Sequence, residues 1–404
     1  MPYHFDHQLL TRAPDPYPLL AELRARAPVY WSPELKGWLL TRYEDVKRSL
    51  RDPRFYSVNR MAPFFNRLSP AASAELHDLK TLIPLWLVFR DSPEHGRLRT
   101  VMGGGFTPSA LNRLKPKVEL LIDELIDAMS RHKEVDFIRD FALLLPGYVI
   151  LDLLGLPREE LSLLKPWSDD LQVFIGGAQA TPDKYQRAQH GTLMMAEYFR
   201  GAIARKRTKP DGDDLLSMLI RAHDHDQQLS EDELVSICIL ILFGGHETTT
   251  NLLGNGFLAL IRNPQQFEAL RADPSLAANA VEECMRYDGP GGAIVRIVTA
   301  DHEIGDQRLR KGDRVFAMVP AANRDPAQFE DPDRFDIRRR NVQHLSFGQG
   351  VHFCLGAPLA RMEAIAALPR LVTRLSGVRV ASDNLDWRDA IVQRGLHSLP
   401  LQLS

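Results

Sequence analysis

The stretch FGQGVHFCLG, Phe347–Gly356, places one of the chain's three cysteines among three glycines and a histidine. A structural thiol needs no such setting, because a free cysteine usually packs as a small buried hydrophobe. Gly348, Gly350 and Gly356 admit backbone angles closed to other residues and let the chain pass close to a flat ligand. Helix formers follow at once, with Pro358 suited to a first turn. Cys354 is therefore expected just ahead of a helix N-terminus, where free N–H groups and the positive end of the dipole favour thiolate over thiol.

A thiolate so placed can ligate haem iron and push electron density onto it. Other readings stay open on spacing alone. The first two glycines fit a dinucleotide fingerprint, but HLS before them makes a poor strand and Phe353 stands where the third glycine belongs. His344, His352 and Cys354 suggest a zinc site, yet no second pair of ligands is evident. A packed structural cysteine is the plainest alternative, and it is the reading for Cys238 and Cys284, each inside an apolar helical stretch.

The rest of the chain is ordinary for a globular protein: 404 residues, 44% hydrophobic, 25% charged, net charge -2. That balance argues against a nucleic-acid partner. The unpaired cysteine spacing suits a reducing compartment. The N-terminus lacks a basic segment followed by a long apolar one, and apolar runs such as CILILF fall far short of the ~20 residues of a membrane span. The expectation is a cytoplasmic protein without a membrane anchor. No repeat, low-complexity tract or Gly/Ser linker interrupts it, which favours one domain over residues 1–404.

Periodicity predicts a mainly α chain with a minor β portion. PVYW and GWLLT read as a hairpin around SPELK, and Thr41 with Glu44 as a capping box for a helix over Tyr43–Leu50. Ser92-Pro93 opens a helix carrying His95 and Arg99. KPKVELLIDELIDAMSRH and the stretches after Pro157, Pro182 and Gly212 have helical spacing. Ser230 with Glu233 opens one long helix to Asn263, and further helices cover Leu276–Tyr287 and Pro358 to about Leu375. AIVRIVTA, HEIGDQRL and RVFAMV are strands.

In the long helix, apolar SICILILF runs into GGHETTTN. A polar break in a buried helix tends to mark function. The glycines are expected to free space, and Thr248 to bond back toward Gly244 and bend the helix; His246 reads as a mere neighbour. Glu283 and Arg286 share one helix face, as do His95 and Arg99, and such pairs are more often solvated surface than sites.

FGQGVHFCLG resembles the haem-binding signature of the cytochromes P450, and the likeness extends over nearly the whole chain, most closely to soluble bacterial members. It implies the P450 fold, with haem b (iron protoporphyrin IX) held between the long helix and the cysteine loop, and Cys354 as the iron ligand. GGHETTT is similar to the family's acid–alcohol pair, which maps the acid to Glu247 and the alcohol to Thr248, both delivering protons during cleavage of dioxygen. ECMR matches the Glu-x-x-Arg motif and PDRF the loop that completes it, implying a buried structural network of Glu283, Arg286 and Arg334. HGRLR resembles the propionate-binding helix, so His95, Arg99, Arg296 and His352 would hold the haem carboxylates. Substrate walls would come from the segments 61–89, 173–181 and 291–295 and the chain near Val392, whose apolar content suits a lipophilic small molecule.

The implied activity is a monooxygenase that inserts one oxygen atom from O2 by hydroxylation or epoxidation. The chain has no flavin or nicotinamide fingerprint and no four-cysteine cluster, so electrons would come from a ferredoxin and its reductase, with Arg113, Lys115, Lys117 or Arg338–Arg340 as docking charges. The alternatives are peroxide-driven or rearrangement chemistry on the same haem, and a haem-binding sensor without turnover.

Overall fold

A computed structural model describes residues 4–6, 10, 13–177, 181–208 and 212–403. Helices dominate, and backbone contacts divide the chain into two compact units. One comprises residues 1–57, 117–145 and 248–404; the other comprises 58–116 and 146–247. Three helices, Pro108–Met129, Leu144–Leu154 and Glu231–Arg262, run unbroken through the boundaries.

The first unit is built on a five-stranded sheet. Its order is Val29–Ser32, Gly37–Leu40, Arg314–Met318, Ala293–Val298, Tyr56–Ser57. All neighbours are antiparallel except Gly37–Leu40 with Arg314–Met318. The period of two sorts side chains between two cores. Leu40, Val315 and Ala317 pack with Tyr43, Val46 and Leu50 of the helix Tyr43–Arg51. Leu39, Phe316, Met318, Ala293 and Val295 pack with Tyr17, Leu20 and Leu23 of the helix Tyr17–Arg26. The strands read from sequence are all present, while the small sheet of Glu134–Asp136, Pro400–Gln402 and Arg379–Val380 was not foreseeable from runs of two or three residues.

Two helix starts differ from expectation. Thr41 and Glu44 do not form a capping box: the Thr41 hydroxyl donates to Pro28 O at 3.0 Å, and Asp325 Oδ2 accepts the Tyr43 N–H at 2.8 Å instead. A cap drawn from 282 residues away leaves no local signature. Ser92 likewise does not cap the helix Glu94–Gly103; the His95 N–H donates to Asp91 O at 3.0 Å. The box at the long helix does form, with Ser230 N–H on Glu233 Oε2 at 2.9 Å and Glu233 N–H on Ser230 Oγ at 3.2 Å. The two later helices fall one residue from expectation, at Ala277–Asp288 and Ala357–Arg374.

In the second unit the helices Leu161–Ile175 and Lys184–Arg207 lie against each other. Gly191 permits this, because a Cβ there would stand 2.4 Å from Trp167 O. Near the ends of both helices, Phe64, Phe65, Phe174 and Tyr185 form an aromatic cluster with ring centroids 5.0–6.5 Å apart. Among the described residues no helix is long and apolar enough to cross a membrane.

Candidate active site

The cysteine loop needs its glycines: Gly348 and Gly350 hold φ of 71° and 70°, a region that strains any side chain. The loop closes when the Cys354 N–H donates to Phe347 O at 2.8 Å, and the helix Ala357–Arg374 starts three residues later. Cys354 is exposed, whereas Cys238 and Cys284 are buried and burial pushes both thiols upward.

A guanidinium that sequence reasoning missed braces this loop. Arg361, in the second turn of the following helix, lies 4.4 Å from the Phe347 ring centroid and bonds Glu282 at 2.6 and 2.8 Å. Its pKa is raised by that hydrogen bond first, and the charge of Cys354 adds to it. Arg361 therefore sets a cation within electrostatic range of the sulfur. His344 bonds the same Glu282 at 3.1 Å, so it serves the brace. Among the described residues no cluster of three or more His, Cys, Asp or Glu side chains could hold a metal ion.

Glu283 and Arg286 are joined as expected, through two bonds of 2.7 and 2.9 Å, with both side chains fully buried. The third member differs. Arg334 turns outward, with its side chain 65% exposed and 3.7 Å from Asp336. Arg339 takes the place, its Nε 3.3 Å from Glu283. The turn at Asp331–Arg334 explains the exchange: its carbonyls face inward, and Pro332 O and Arg334 O accept from Arg286. Arg334 thus contributes its backbone, and the charge comes from five residues on.

The four propionate candidates fall in pairs, one pair in each unit. His95 and Arg99 share the helix Glu94–Gly103; His95 is buried, and burial first, then the Arg99 charge, push its pKa down. Arg296 sits in the strand Ala293–Val298, only 7% exposed, with Nη1 on Val295 O at 3.1 Å. His352 ends a 3-10 turn, Gly350–His352.

The glycines of the long helix serve two purposes rather than one. A Cβ on Gly244 would meet only Leu240 Cδ1, at 3.8 Å, so Gly244 leaves room. A Cβ on Gly245 would strike Ile150 Cδ1 at 2.3 Å, so Gly245 is there for packing. The segment stays α-helical throughout. Glu247 is wholly buried, and Lys165 of the helix Leu161–Ile175 brings its Nζ to 3.1 Å from Glu247 Oε1. Sequence reading passed over Lys165, a lone cation in LSLLKPW whose side chain is only 13% exposed. Of the wall segments, residues 178–180 lie outside the described ones.

The pattern described as Cytochrome P450 matches residues 159–377. The chain is 40% identical over 377 residues to Cytochrome P450 107B1 of Saccharopolyspora erythraea, covering 91% of this chain and 89% of that one. The chain belongs to the cytochrome P450 family. It is also 37% identical over 395 residues to the Vitamin D(3) 25-hydroxylase of Pseudonocardia autotrophica, covering 96% and 94%. The crystal structure of P450BioI in complex with an acyl carrier protein ligated to hexadec-9Z-enoic acid superposes with a TM-score of 0.88 at 35% identity, covering 96% of this chain and 98% of that one. As a P450, the protein is a haem-dependent monooxygenase with the P450 fold. Within the first unit the residues fit the cofactor: an exposed sulfur on a glycine loop and a buried guanidinium in Arg296.

Proposed function

We propose that residues 1–404 act as one P450 domain that inserts an oxygen atom from O2 into a lipophilic small molecule, by hydroxylation or epoxidation, in the cytoplasm. The observation that carries this is Cys354, an exposed sulfur ahead of a helix and within the field of Arg361. Bound haem supplies the activation of dioxygen. The second oxygen atom leaves as water, which takes up two electrons and two protons. Cys354 would hold the iron as thiolate. His95, Arg99, Arg296 and His352 would hold the propionates by directed and charge-assisted bonds. Glu247 would carry protons at its carboxylate and Thr248 would pass them on through Oγ1.

The aromatic cluster of Phe64, Phe65, Phe174 and Tyr185 supports an apolar substrate, as does the vitamin D hydroxylase among the relatives. Electrons would come from a ferredoxin and its reductase. Arg113, Lys115 and Lys117, or Arg338 and Arg340, are exposed and would attract an acidic partner, whereas Arg339 is committed to Glu283. Replacing Cys354 by Ser should abolish the red-shifted Soret band of the reduced carbon monoxide complex, and a retained band would refute the ligand assignment. Titration with lipophilic compounds, read as a low-spin to high-spin shift, would define the substrate class.

A further inference from the structure

We propose that His246 is a positioning residue for the proton carried by Glu247, opposed by Lys165 on the same carboxylate oxygen. The inference rests on the reading of Glu247 as the acid of the relay. His246 Nδ1 lies 2.7 Å from Leu242 O, one helical turn back. A carbonyl only accepts, so Nδ1 carries the hydrogen, and in the Nδ1–H tautomer Nε2 presents a lone pair. Nε2 lies 3.0 Å from Glu247 Oε1, and Lys165 Nζ lies 3.1 Å from that same oxygen. The His246 and Glu247 side chains are each 1% exposed.

Adjacent residues leave a helix about 100° apart, so the His246–Glu247 contact is oblique. As the side chains stand, Nε2 is buried and makes no hydrogen bond. A buried ring nitrogen in that condition is costly and calls for an explanation. A proton on Glu247 supplies one. A lone pair facing a carboxylate oxygen is repulsive where water is excluded, and one proton between Nε2 and Oε1 turns the contact attractive. The Lys165 ammonium acts in the opposite sense and stabilises the emptied carboxylate.

The pair thus lets Glu247 both release and regain a proton. One proton leaves Oε1 for the relay, the carboxylate is held by Lys165, and one proton from solvent restores Oε1–H beside Nε2. Nδ1–H stays on Leu242 throughout. Two charged groups of the helix Leu161–Ile175 face the pair: Lys165 directly, and Asp169 through its bond to Lys165. The helix Leu144–Leu154 reaches this turn with apolar Ile150, against Gly245.

The test uses the holoenzyme. In the diamagnetic ferrous carbon monoxide complex, nitrogen NMR of isotope-labelled histidine should show His246 protonated on Nδ1, with an Nε2 signal that moves in Glu247→Leu. The second readout is the pH at which peroxide release overtakes product. His246→Asn, whose amide can keep the Leu242 bond, should move it down by about one pH unit, a tenfold loss of protonated Glu247 at fixed pH. Lys165→Met should move it up by a similar amount. A hydrogen on Nε2 in place of Nδ1, unmoved midpoints, or midpoints moving the same way would overturn the proposal. If Glu247→Leu stays tightly coupled, the relay reading itself fails. If that variant uncouples while the other two keep the wild-type profile, only the role of His246 and Lys165 fails.

Discussion

Glu363 lies in the helix Ala357–Arg374 with no exposed surface, and neither carboxylate oxygen has a hydrogen-bond partner among the described residues. Burial alone raises its pKa well above the ordinary value of 4.5. The carboxyl is therefore neutral in the fold, while in the unfolded chain it ionises once the pH passes 4.5. Linkage then works against the fold: the unfolded state releases a proton that the folded state keeps, and stability falls by about 1.4 kcal/mol per pH unit above 4.5 for as long as Glu363 stays neutral. Between pH 5.5 and pH 7 the loss is about 2 kcal/mol. Glu363→Gln keeps the size and removes the titration. With an unfolding entropy of roughly 2.1 cal/mol/K per residue, 2 kcal/mol corresponds to about 2–3 °C in a chain of this length. Thermal midpoints of ferric holoprotein, measured at one scan rate across pH 5.5–8, should show the variant gaining on the wild type by that amount from pH 5.5 to 7. A difference that stays flat, or that narrows as the pH rises, would refute the reasoning, because it would mean that Glu363 ionises inside the fold or is not buried.

Three further outcomes follow from the site. Arg339→Ala should cost about 3 kcal/mol, because it leaves Glu283 under-compensated in the interior, whereas Arg334→Ala should stay within about 0.5 kcal/mol; denaturant midpoints of the two variants check the exchange. Arg296→Leu should weaken haem retention, read as transfer of haem to an acceptor globin, while the apoprotein keeps its helical signal. Thr248→Ala should raise hydrogen peroxide release relative to product under ferredoxin-supported turnover, with substrate-induced spin shift unchanged.

Much of the fold was legible because its signals are local. The strand pairs show period two, the long helix announces itself with Ser230 and Glu233, and the cysteine loop displays glycines whose positive φ only glycine adopts without strain. What escaped reading was long-range. Asp325 caps a helix 282 residues earlier, and no window of sequence contains both partners. Arg334 and Arg339 are both arginines in one loop, and the choice between them depends on which way the carbonyls of that turn face. Lys165 carries no motif at all; its meaning comes from the buried carboxylate it reaches, 82 positions along the chain.

The two adjacent acids of VEECMR show how the scaffold around the cysteine divides its labour. Glu282 and Glu283 leave the helix Ala277–Asp288 about 100° apart, so neither can do the other's work. Glu283 turns to Arg286, Arg339 and the Asp336 N–H, and so ties down the segment that precedes the cysteine loop. Glu282 turns to His344 at one end of that segment and to Arg361 beyond the cysteine, spanning the loop from both sides. Burial opposes the charge on Glu282, but the bonds from Arg361 and His344 prevail and draw its pKa down to about 2. A carboxylate lowered in this way contributes its full stability above its ordinary value of 4.5 and loses it progressively as the pH falls from there through about 2. In the folded chain the Glu282 carboxylate therefore keeps its charge through mild acid, while its contribution to stability already declines below 4.5. Arg361 is the hinge of this arrangement. It is held by Glu282, it stacks on Phe347, and the charge of Cys354 adds to the rise in its pKa, so one side chain ties Glu282, the start of the loop and the sulfur together.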